Sequence, residues 1–179
     1  MKNSIPSKTN SRTAYPNDPT YEALIKDLLA HKDIQSMAGF RHHGKITCLD
    51  HSLAVSYLAF QLAKKLSWDE QSVARAGLLH DFYLYDWHHK KNRKGLHGFT
   101  HAKTSLANAN HRFKLNAIEQ DIIKTHMWPM NPALPRYKES FLVCLVDKLL
   151  ALAETIKLIN AKPVQAIFPI FLTLYSTGV

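Results

Sequence analysis

The 179 residues suffice for one domain of ordinary size, and 46% apolar with 21% charged residues excludes a wholly disordered chain. Six Gly and eight Pro exclude collagen-like and low-complexity architectures. The formal charge of +9 favours anionic partners, and eleven His, a residue suited to metal ligation and to acid–base work near neutral pH, need locating.

Residues 1–19 are polar and rich in Ser, Asn and Thr, and are read as a segment without fixed structure ahead of one domain over residues 20–179. They lack the apolar run of a secretory leader, and no stretch reaches the ~18 apolar residues of a membrane span, so a cytoplasmic protein is expected. Cys48 and Cys144 make neither a disulfide framework nor a Cys-x-x-Cys pair.

From Tyr21 the pattern predicts helix after helix. Thr20 is expected to cap a helix over Tyr21–His31. A connection with Gly39 and Gly44 leads to an amphipathic helix from Thr47 to Leu66. Ser67 and Glu70 form a capping-box pattern for the next helix, which runs to about Asp81. Phe82 to Phe99 reads as a loop, and Thr100 as the cap of a helix over His101–Arg112. Asn116 and Glu119 open a helix ending near His126, stopped by Pro129. After a Pro-rich loop over Trp128–Pro135 comes the longest apolar helix, Tyr137–Asn160. Pro163 opens a final segment whose apolar part, Ala166–Tyr175, is expected to pack on the core. Period-two alternation is scarce, so the fold class expected is all-α, a single helical bundle.

Several chemistry-bearing residues fall on apolar stripes. His51 shares a face with Val55, Leu58, Leu62 and Leu66, and His80 with Val73, Ala76 and Gly77. His126 lines up with Leu115, Ile118 and Ile122, and Asp147 lies inside the apolar run Phe141–Ala153. A single buried His is usually a hydrogen-bonded core residue, and a single buried Asp a cap or an ion-pair partner. Together they are accommodated most simply by a divalent metal, since neutral imidazoles and carboxylates suit iron, manganese or zinc.

The order His51, His80-Asp81, Asp147 resembles the HD-domain superfamily of metal-dependent phosphohydrolases. The stretches that carry the resemblance are TCLDHSLAVS (Thr47–Ser56), ARAGLLHDFYLYDW (Ala74–Trp87) and CLVDKLLALAE (Cys144–Glu154). His101 and His126 add the further pair found in two-metal members. By that resemblance His51, His80, Asp81 and Asp147 hold one metal, while His101 and His126 hold a second that Asp81 bridges. His97 competes with His101, whose helical face continues through polar Ser105 and Asn108. The ions implied are two divalent cations, Fe or Mn first, with Zn, Mg, Ni or Co as alternatives.

The activity implied is hydrolysis of a phosphate ester by a metal-activated water, on a nucleotide, phosphomonoester or phosphodiester. Asp81 and Lys103 are the expected catalytic residues, and His43 and Lys103 the expected substrate contacts. His42 and His43 both precede Gly44, and the resemblance favours His43 because a His-Gly pair stands there in similar proteins. Lys90, Lys91, Arg93 and Lys94 surround the same region, and Lys148 is expected to point away from Asp147. The chain lacks the Gly-Tyr-Pro signature of cyclic-dinucleotide hydrolases, which argues against that substrate. The same ligand order also resembles di-iron oxygenases of the superfamily. A basic binding module with a structural metal ranks last, because no nucleic-acid motif is present. The partner expected is a small anionic phosphorylated substrate.

Overall fold

A computed structural model of the chain describes Tyr15 and residues 17–42, 46–89 and 95–156, and among these every regular element is helical. The all-α expectation therefore holds. No helix among the described residues is long and apolar enough to cross a membrane.

The caps explain where helices begin. Helix α1 (Pro19–Leu29) starts ahead of the expected site because Asp18, not Thr20, caps it, accepting from the Thr20 and Tyr21 amides. Pro19 then occupies the first turn, where its missing N–H costs nothing. His31 Nδ1 caps a short helix, α2 (Lys32–Ser36), which leads into a 3-10 turn at Met37–Gly39. Helix α3 (Cys48–Lys65) opens on a reciprocal cap between Thr47 and Asp50. Helix α4 (Glu70–Leu79) is capped by Asp69, whose side chain accepts from Ser72 N. The expected cap, Ser67, sits instead in the left-handed region at φ 55°, a conformation no N-cap adopts.

Helix α5 (His97–Arg112) begins a turn before the expected start, with Thr100 inside it and its Oγ1 donating to Leu96 O. The first turn is fastened by ring stacking of His97 between Trp87 and His101, which outweighs the loop character of Gly98. Helix α6 (Ala117–Thr125) shows the expected Asn116–Glu119 capping box and ends at His126. Helix α7 (Lys138–Thr155) follows the Pro-rich loop. The expected end at Asn160, Pro163 and the segment Ala166–Tyr175 lie outside the described residues.

Helix α3 is the centre of the bundle. Every residue from His51 to Phe60 is buried, so its apolar stripe is one side of a helix enclosed all round. It packs on α4 and α7, while α6 touches α4, α5 and α7. Helices α3 and α4 approach closely at Gly77, where an added Cβ would stand 2.8 Å from Ser56 Cα. Ser56 is itself pinned, accepting from Tyr21 OH at 2.8 Å and donating to Ala74 O at 2.6 Å. Helix α7 turns Val143, Val146, Asp147, Leu150 and Glu154 inward and leaves Leu145, Leu149 and Leu152 exposed. This packing brings the early turns of α3 and α5, the C-terminal ends of α4 and α6, and the middle of α7 to one place.

Candidate metal centre

Six expected residues meet there, all buried: His51 from α3, His80 and Asp81 at the end of α4, His101 from α5, His126 at the end of α6 and Asp147 from α7. Asp147 Oδ1 lies 3.0 Å from His51 Nε2 and 3.5 Å from His80 Nε2. Asp81 divides its two oxygens. Oδ1 is 3.2 Å from His101 Nε2 and 3.6 Å from His126 Nε2, and Oδ2 is 3.6 Å from His80 Nε2. His101 Nε2 and His126 Nε2 stand 2.9 Å apart.

The outward nitrogens decide what the inward ones are. His80 Nδ1 is 2.7 Å from Gly77 O, His101 Nδ1 2.8 Å from His97 O and His126 Nδ1 2.9 Å from Ile123 O. A carbonyl only accepts, so each Nδ1 carries a hydrogen and donates, and each neutral ring presents an Nε2 lone pair to the interior. Those lone pairs face one another and the carboxylates of Asp81 and Asp147. His80 Nε2 and Asp81 Oδ1 have no hydrogen-bond partner there. Such a set of donors is repulsive unless extra protons or cations sit among them, and it is the donor chemistry of a divalent-metal site. Three groupings have ligand atoms close enough to hold an ion: His51–His80–Asp147, Asp81–His101–His126 and His42–His51–Asp81.

The titration behaviour follows the same geometry. Burial works against ionisation of Asp81, but His80, His101 and His42 hold its carboxyl well below the usual range. Burial likewise opposes ionisation of Asp147, and His51 and His80 overcome it. Burial, with His80 and His101 beside it, pulls His126 down to about 3 and so keeps its ring neutral. Burial also disfavours a charged His51, yet the carboxylates of Glu154 and Asp147 lift it to about 10.

Other expected residues fall elsewhere. Lys103 is exposed, since two residues along a helix is more than half a turn from the inward-facing His101. It lines a groove of about 590 Å³ with Lys124, Arg136 and Tyr137, which includes none of the six clustered residues. Helical periodicity thus places Lys103 on another side of α5 from the six clustered residues. His43 and Lys90–Lys94 lie outside the described residues. His97 stacks on His101 at 4.5 Å between ring centres, and its Nδ1 is 3.0 Å from Tyr85 OH, so it supports the cluster instead of entering it. His88 and His89 are exposed beside Asp86. Lys148 is half-buried, and its Nζ donates to His126 O at 2.7 Å and to Cys144 Sγ at 3.2 Å.

Two members of the cluster were missed. His42 stacks on His51 with ring centres 3.9 Å apart and puts Nε2 3.2 Å from Asp81 Oδ2. The stretch carries no helical period, so the residues alone offered no choice between His42 and His43. Glu154 follows Asp147 by two helical turns on the same face of α7, a spacing that was visible but unused.

A family model described as HD domain matches residues 48–152, more than half of the chain. No curated protein and no solved structure gives a significant match.

Proposed function

The chain belongs to the HD-domain family, and on that premise we propose that it is a metal-dependent phosphohydrolase acting on a small phosphate ester. The observation that carries the reading is the convergence of four inward imidazole nitrogens on the carboxylates of Asp81 and Asp147. His51, His80, Asp81 and Asp147 would hold one divalent cation, Fe or Mn by donor type, and His101, His126 and the other oxygen of Asp81 a second. The chemistry such cations supply is acidification of a water near neutral pH and polarisation of a phosphoryl oxygen.

The chain's own residues do the positioning. Asp81 faces both groups at once, one oxygen to each, so its carboxylate fixes their separation. The backbone carbonyls of Gly77, His97 and Ile123 hold three rings in the tautomer that leaves Nε2 free to ligate. Lys148 fastens the carbonyl of His126 at the end of α6, a helix terminus that favours a cation. The overall charge of +9 suits an anionic substrate.

The test is metal analysis of the protein after anaerobic reconstitution with Fe(II) or Mn(II), followed by phosphate release from phosphomonoesters, nucleotides and phosphodiesters. Up to two ions per chain and metal-dependent phosphate release are expected. Failure to retain any ion sinks the reading. Dioxygen consumption without phosphate release moves the chain to the oxygenase branch of the family.

A further inference from the structure

Glu154 lies in the interior with a fully buried carboxylate, and among the described residues its ion-pair partners are two histidines, with no Lys or Arg. An interior carboxylate is costly unless several donors answer it. His51 Nδ1 stands 3.0 Å from Oε1 and 3.1 Å from Oε2, and His42 Nδ1 stands 3.4 Å from Oε2. The two rings lie nearly parallel, inclined by 15°. The carboxylate thus hydrogen-bonds the outward nitrogen of His51 and stands within ion-pair distance of the stacked His42 ring, while the two Nε2 atoms face inward, His51 toward Asp147 and His42 toward Asp81.

His51 differs in this from the other three histidines of the centre. His80, His101 and His126 set their tautomers against carbonyls of their own helices, which come with the backbone. His51 depends on a side chain brought from α7. A carboxylate behind a ligating imidazole fixes the ring plane and raises its basicity. We propose that Glu154 is the positioning residue of the centre, orienting His51 directly and His42 through the ring stack, and thereby setting the affinity of the His51–His80–Asp81–Asp147 site. The proposal rests on the metal-centre reading above. His42 acts with it as a second positioning residue, its ring stacked on His51 and its Nε2 placed 3.2 Å from Asp81 Oδ2, the oxygen that also faces His80.

The test uses the full chain with Glu154→Ala, Glu154→Gln and His42→Phe. Binding of Mn(II) is measured at each site by chelator competition, the visible spectrum is recorded with Co(II), and thermal melts are run alongside. Glu154→Ala is expected to weaken the site containing His51 by ~10–100-fold, the usual cost of losing a partner behind a ligand. It should leave the His101–His126 site near its parent affinity and change the Co(II) spectrum. Glu154→Gln keeps a carbonyl oxygen for His51 Nδ1–H and should recover part of the loss. His42→Phe keeps the stack, frees Asp81 Oδ2 and should weaken the same site less than Glu154→Ala does. A merely structural role lowers both sites in step with the melting temperature, and that result overturns the proposal. So does parent-like affinity in both Glu154 variants. A parent chain that binds no Mn(II) or Co(II) overturns the metal reading itself.

Discussion

Replacing Gly77 by Ala is the sharpest probe of how tightly the bundle sets the centre. The added Cβ would stand 2.8 Å from Ser56 Cα and 3.3 Å from Ser56 N, and comfortable contact begins at about 3.5–4.0 Å. The obstacle is backbone of α3, and Ser56 is held by hydrogen bonds to Tyr21 and Ala74. Helices α3 and α4 must therefore part by roughly 0.7–1.2 Å. Overpacking of this kind costs ~1–3 kcal/mol. At about 2–4 °C per kcal/mol for a chain of this size, melting should fall by roughly 2–12 °C. The carbonyl of Gly77 also receives His80 Nδ1–H, so the displacement passes directly to a proposed ligand. Coordination distances tolerate only about 0.2 Å, so metal affinity should fall along with stability. The control is Gly39→Ala, where nothing lies within 4 Å of the new Cβ. That variant should be neutral or gain up to ~1 kcal/mol. Thermal and urea melts with and without Mn(II) read both quantities. If Gly77→Ala melts with Gly39→Ala and keeps parent metal affinity, the packing argument is wrong.

Asp81→Ala should abolish retention of both ions, because its two oxygens face both groups, whereas His126→Ala should cost only the second; ion counts per chain separate the two patterns. Adding metal at about 100 times its dissociation constant should stabilise the chain by ~2.7 kcal/mol, reversed by chelator, and an unchanged melt would contradict native-state binding. Arg75 donates from Nε to the buried Glu119 and from its terminal nitrogen to Asp27, so Arg75→Met should cost ~1–3 kcal/mol by leaving Glu119 with only its capping bond from Asn116 N. The hydrogen bond from Arg75 lowers the Asp27 pKa, so its contribution is present above the ordinary Asp value and is lost as pH falls through the lowered one. Urea melts between pH 6 and pH 3 should therefore show the gap between parent and Arg75→Met narrowing below about pH 4.

What the sequence revealed and what it hid divide along physical lines. Side chains on long helices were legible because the 3.6-residue period states which face is buried, and His51, His126 and Asp147 stood out as polar residues on apolar faces. The doublet His80-Asp81 was legible from the apolar run before it. Helix starts were harder, since several polar residues near one terminus compete to cap it: Asp18 displaced Thr20, and Asp69 displaced Ser67. His42 was obscured by His43 beside it in sequence, since the run before Gly44 carries no helical period to say which side chain turns inward. Lys103 was chosen for nearness in sequence to His101, which on a helix turns it to another side. Glu154 was overlooked because a Glu near a helix end usually reads as solvated, and only the packing of α7 on α3 buries it.

The residues of the centre come from α3, α4, α5, α6 and α7, and no single helix supplies more than two of the six expected ligands. A chain with α3 or α7 undocked lacks His51 or Asp147 and could not complete the proposed first site, whereas the proposed second draws on α4, α5 and α6 alone. During synthesis the proposed first site would stay incomplete until α7 arrives with Asp147. Once loaded, the proposed ions would tie the end of α4 to α3 and α7, and the end of α6 to α4 and α5. Amide hydrogens at those two helix ends, ordinarily among the first to exchange, would then exchange only with global unfolding.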